Sequence, residues 1–65
     1  MEMEKCKQGT KVMVDMRNGG REKAVLLGPP EIRGKGHYVQ VGYVDDKGKA
    51  TGKTGWKRPS ELTKR

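Results

Sequence analysis

The stretch "GKATGKTGW", residues 48–56, carries the residue types of a phosphate-gripping loop: a glycine, a spacer, then Gly52-Lys53-Thr54. Such a loop needs four residues between its first glycine and Gly-Lys-[Ser/Thr], an arc that lets successive backbone N–H groups surround the phosphates. Here Gly48 and Gly52 enclose three, Lys49, Ala50 and Thr51. The loop must also lead into a helix whose N-terminus faces the phosphates, whereas Gly55, Trp56 and Pro59 follow within seven residues of Gly52. The match is spurious. The stretch reads better as a polar, flexible connection. Its Lys47, Lys49, Lys53 and Thr54 either keep a turn solvated or reach the phosphates of a polymer.

Other residues capable of chemistry stand alone. His37 is the only histidine, with no Cys or His partner at ligand spacing, so no structural metal site is expected. A general base needs a nucleophile or a carboxylate within reach, and the one acidic pair, Asp45-Asp46, precedes Lys47-Gly48 and reads as a turn. Cys6 is the only cysteine, which precludes an intramolecular disulfide and points to a reducing compartment. No catalytic constellation emerges, and no cofactor or metal is expected.

The elements that must position these residues read as strands. Val12, Val14 and Met16 alternate with Met13 and Asp15, and Val39, Val41 and Tyr43 alternate with Tyr38, Gln40 and Gly42. Period-two alternation of β-branched and aromatic residues predicts half-buried strands. "EKAVLLG" is a third strand, its apolar run Ala24–Leu27 predicting the most buried one. Asn18-Gly19 predicts a hairpin turn. Pro29 and Pro30 interrupt strand pairing and predict a long loop ending near His37. "DDKGKATGKTG" is a second turn region, either tight around residues 46–48 or a loose excursion to Gly55. "GWKR" supplies a short strand and "PSEL" one helical turn that drops Leu62 into the core.

With 65 residues, 31% of them hydrophobic and no Phe, the core must be thin; a domain this small buries only about 60% of its unfolded surface. Consecutive short hairpins would then curl to hide their edges. The expectation is one all-β domain over residues 9–63, four to five short antiparallel strands in a small barrel or rolled meander, with residues 1–8 as a frayed tail. A homo-oligomer is a further way to complete so small a core.

The order of elements resembles an SH3-like barrel of the Tudor or KOW kind. The resemblance rests on a "G-x-K-V-x-V" strand (Gly9, Lys11, Val12, Val14), then "KAVLLGPP", "HYVQVGYV", "WKR" and "PSEL". It covers Gly9 to Leu62 and is architectural. Barrels of that kind bind DNA, RNA, peptides or methylated side chains, so the resemblance alone selects no function.

Charge narrows the choice. The formal net charge is +7, and its surplus is uneven. Lys53, Lys57, Arg58, Lys64 and Arg65 against Glu61 leave four units, and the strip Lys11, Arg17, Arg21 and Lys23 against Asp15 and Glu22 leaves two. Arg33 and Lys35 against Glu31 leave the last. Such a field recruits polyanions, nucleic acid foremost, and equally an acidic protein surface. Trp56 has two readings: the main core aromatic of a chain without Phe, or an exposed ring that stacks on a base beside Lys57 and Arg58. Tyr38, Tyr43 and Trp56 also invite a methyl-lysine cage, but Tyr38 and Tyr43 fall on opposite faces of a regular strand.

The sequence therefore points first to a non-enzymatic nucleic-acid-binding protein that contacts mainly phosphate, with DNA and RNA both open. Lys53, Lys57, Arg58, Arg17, Arg21 and Lys23 are the expected phosphate contacts, and Trp56 the stacking residue. The alternative is a protein-interaction module, an adaptor or an inhibitor of a larger acidic machine, of a size that suits a phage or mobile-element product; it would use Met13, Ile32 and Tyr38. No apolar run approaches the ~20 residues of a membrane span, and "MEMEKCKQG" has no signal-peptide character. A cytoplasmic or nucleoid-associated protein is expected.

Overall fold

Alternation with period two governs most of the chain, and strands follow from it. The computed structural model describes residues 6–65. Within them lie β1 (Lys11–Asp15), β2 (Arg21–Leu26), β3 (Glu31–Arg33), β4 (Gly36–Val44), β5 (Ala50–Lys57) and β6 (Leu62–Lys64). A single 3-10 turn, Pro59–Glu61, separates β5 from β6. All pairings are antiparallel. The sheet runs β5-β4-β2-β1-β6, with β3 paired to the first residues of β4. Among the described residues no pairing joins β5 to β6, so the curled sheet is a half-barrel. This is the small all-β architecture expected from the alternation, with the helical turn at the expected proline. Among these residues no helix is long and apolar enough to cross a membrane.

The core is aliphatic. Val12 and Val14 of β1, Ala24 and Leu26 of β2, and Val39 and Val41 of β4 are buried together with Cys6 and Leu62, and Met16 and Tyr43 pack against them. No fully aromatic layer is present among the described residues; Trp56 lies outside this cluster.

Two turns share one design. Gly19 and Gly48 both take positive φ, 86° and 84°, a conformation that costs glycine least. Ahead of each, a short side chain organises the loop. Asn18 Oδ1 accepts the Gly20 N–H at 2.8 Å, and Asp45 Oδ1 accepts the N–H groups of Lys47 and Lys49, each at 2.9 Å. The second turn is therefore the tight one, closing at Gly48. Residues from Ala50 onward are strand, so the flexible connection expected there is corrected: Gly52, Lys53 and Thr54 lie in β5, and no helix follows them.

Three further expectations change. Glu31–Arg33 is a strand, not loop, because the prolines sit in a bulge. Leu27 N–H still donates to Gln40 O at 2.8 Å, and pairing resumes at Glu31↔Tyr38. Residues 28–30 thus oppose Val39 alone, a place where the missing proline donors leave no ladder bond unmade. The run Ala24–Leu27 is not uniformly buried: it alternates, and Leu27 is 41% exposed. Leu27 instead lies over Gly42, where an added Cβ would meet its side chain at 3.2 Å. Finally, Cys6, expected in a frayed tail, is buried at 3% exposure in the core, so the packed domain reaches back to that residue. Residues 1–5 of that tail lie outside the described residues.

Leu26→Ala should lower the free energy of unfolding by about 2–5 kcal/mol, read from urea denaturation followed by circular dichroism. A 65-residue domain holds roughly 3–10 kcal/mol in total, so the substitution should remove a large share of its stability. A change under about 1 kcal/mol would mean that Leu26 is not central to the core. Burial also pushes the Cys6 thiol up from its ordinary pKa. The folded state then holds the proton after the unfolded thiol has lost it. The resulting stabilisation is complete below the ordinary thiol range and is lost as pH rises through it and beyond. A chromogenic disulfide reagent should therefore react slowly with native protein at neutral pH and fast in denaturant; equal rates would contradict the burial.

Candidate functional site

Side chains on paired residues of neighbouring strands share a face. Val39 and Val41 of β4 face the core, so Tyr38 and Gln40, which alternate with them, face outward. Tyr38 pairs with Glu31, Gly36 with Arg33, and Gln40 with Trp56. The outer face of β3, β4 and β5 therefore gathers Glu31, Arg33, Tyr38, Gln40 and Trp56. Trp56 is half-buried there rather than in the core. The phase of β5 decides this, since its core-facing partners of Val39 and Val41 are Lys57 and Gly55.

Each ring carries a guanidinium. The Arg33 guanidinium carbon lies 3.9 Å from the Trp56 ring centroid, and that of Arg58 lies 5.5 Å from the Tyr38 centroid. Arg58 is held in a second way: its Nε–H donates to the Tyr38 hydroxyl at 3.2 Å. That hydrogen bond raises the Arg58 pKa further above its already high ordinary value, so the group is cationic throughout the working pH range. The Arg33 side chain makes no hydrogen bond or ion pair among the described residues. Its place rests on the ring alone, an exposed cation–π contact of about 0.5–1 kcal/mol.

The other expected site residues separate into three places. Lys57 lies on the core side of β5, its side chain only 20% exposed and its Nζ 3.9 Å from a Glu61 oxygen. Arg21, Lys23 and Lys53 line a cleft of about 330 Å³ beside Met13 and Tyr43, together with Glu22 and Asp46. Arg21 also pairs with Asp15 at 3.2 Å. Arg17 is exposed in the turn between β1 and β2. At the cleft wall, burial and then the charges of Glu22 and Glu61 push the Tyr43 phenol up, which keeps it neutral.

Trp56 and Arg58 are thus brought together, joined by Tyr38, which the sequence places beside Trp56 only as part of a cage, and by Arg33, which it does not place there. The signal for Arg33 was present: "EIR-GK-GHY" is a turn between two alternating segments, obscured by the prolines just before it. The three aromatic residues do not form a cage. Tyr38 and Trp56 share the outer face, whereas Tyr43 packs against the core. Among the described residues no three His, Cys, Asp or Glu side chains cluster as metal ligands. What the outer face can do chemically is present planar cations and π-faces side by side.

No family model matches the chain, and no curated protein or solved structure matches it. The reading of its function therefore rests on this geometry.

Because Trp56 is the sole tryptophan and carries a cation on its ring, iodide should quench its fluorescence more strongly than caesium. Arg33→Ala should narrow that difference. Equal quenching by the two ions in the unaltered protein would remove Arg33 from the ring.

Proposed function

We propose that this protein is a non-enzymatic nucleic-acid-binding module that engages the phosphate backbone through the outer face of β3, β4 and β5. The observation that carries the reading is the pair Arg33 and Arg58, two guanidinium groups laid on Trp56 and Tyr38 with no carboxylate bound to either among the described residues. A guanidinium lying on a ring keeps N–H donors at its edge, and their planar fork matches phosphate oxygens. Arg58 spends only Nε on Tyr38. Arg17, Arg21, Lys23 and Lys53 extend the positive field away from this face, while Lys57 supports it from beneath, close to Glu61.

The reading calls for neither metal nor cofactor. It suits a cytoplasmic or nucleoid setting, where reduced Cys6 and abundant polyanion coexist. A protein-interaction role is the second reading. One observation favours it: Ile32, in the short strand β3, is 75% exposed, which would suit an apolar contact beside a strand edge.

Binding of labelled duplex DNA, single-stranded DNA and RNA, followed by anisotropy across a salt series, tests the proposal. Affinity should fall linearly in log salt, and Arg33→Ala and Arg58→Ala should each reduce the slope by about 1. Lys57→Ala should change it less, given the Glu61 contact. Absence of binding to all three at low salt would refute the proposal. Binding to a protein partner that survives high salt and is lost in Ile32→Glu would support the second reading instead.

A further inference from the structure

We infer that the outer face of β3, β4 and β5 is a stacking platform for single-stranded nucleic acid, in which a base replaces the Arg33 guanidinium on Trp56. The inference rests on the nucleic-acid reading above and sharpens it to one substrate class.

The Arg33 guanidinium is itself a planar, delocalised group, and it lies 3.9 Å from the centroid of an indole. It occupies the position that a stacked base would take. The two covers on this face differ in how firmly they are held. Arg58 is fixed to Tyr38 by a hydrogen bond as well as by the ring, whereas Arg33 has the ring alone. Base–aromatic stacking is the stronger interaction at an accessible ring, so Arg33 yields. Once displaced, its long side chain is free to meet the phosphate of the base that replaced it. One residue then guards the platform in the unbound state and neutralises charge in the bound state.

The geometry also favours an unpaired strand. Tyr38 and Trp56 stand on adjacent strands, diagonal to each other across the Gln40↔Trp56 pair, a separation of about 7–8 Å. An unpaired base can stack on Trp56 while Arg58, retained on Tyr38, meets a neighbouring phosphate; bases within a duplex present only their edges and leave no face for the indole. Gln40 lies on the same face between the rings and offers an amide to a base edge. The net charge of +7 supplies attraction to the backbone without selecting sequence.

The test uses the full chain with four probes: oligo-dU, oligo-rU of the same length, a duplex with the same number of phosphates, and inorganic polyphosphate. Trp56→Leu keeps apolar bulk but removes the π-face, and Trp56→Phe restores one; circular dichroism checks that both fold. Trp56→Leu should lose roughly 5- to 100-fold in affinity for both single strands. Duplex and polyphosphate affinities should move less than about twofold, because neither probe uses the ring. Trp56→Phe should recover most of the single-strand affinity, and the rank of the two oligomers identifies the preferred sugar. Equal losses for all four probes, or no loss for the single strands, would overturn the platform while leaving phosphate binding intact. Failure of every probe to bind the unaltered protein at low salt would overturn both readings.

Discussion

The phase of β4 is the constraint on which the rest of the molecule depends. This strand pairs with β2, β3 and β5, and its side chains alternate between Val39 and Val41 inward and Tyr38 and Gln40 outward. A slip of one residue would send both valines to solvent and a tyrosine and a glutamine into the core. Because its partners inherit the phase, the same alternation sends Trp56 outward and Lys57 inward. Core and candidate site are two faces of one register. The register is held in turn by the Asp45 turn on one side and by the proline bulge on the other.

The composition of the core explains why an aromatic face is available at all. A half-barrel of this size encloses a narrow space, and valine, leucine, alanine and Cys6 fill it. An indole in that space would force apart strands already close-packed. Outside, Trp56 buries part of its surface against the sheet and beneath Arg33. The arrangement leaves a large π-face near solvent on a domain that has little aromatic surface elsewhere. Gly42 adds to the relief of this face, since its missing side chain makes the hollow in which Leu27 rests.

Much of this was legible in the sequence, and the failures have local causes. Alternation in "KVMVD" and "YVQVGYV" set the faces of β1 and β4, Asn18-Gly19 marked a hairpin, and Pro59 marked the 3-10 turn before buried Leu62. Those signals are local. Trp56 was harder to place because β5 alternates weakly: glycines at 52 and 55 and threonines at 51 and 54 give no apolar phase. Its phase comes from pairing with β4, which is a tertiary fact. Arg33 was obscured because two prolines normally end a strand, and nothing local shows that pairing resumes beyond them. Cys6 was misplaced because a single apolar residue in a polar segment carries no period.

Arginine and lysine divide the charge between them. Of the five arginines in the chain, Arg33 and Arg58 lie on rings, Arg21 pairs with Asp15, and Arg65 donates to the Ala24 carbonyl. The two ring contacts use the guanidinium plane, which an ammonium lacks, while Arg17 is exposed in the turn between β1 and β2. Most lysines sit instead in turns and on exposed strand positions, where they act as mobile point charges. A field of that kind extends only about 8 Å at physiological ionic strength, so under the proposed function it would attract a polyanion without orienting it. Orientation must come from groups with fixed planes. In this fold those planes converge where β4 turns its tyrosine and glutamine outward, and so the strand that builds the core also determines where a recruited chain would come to rest.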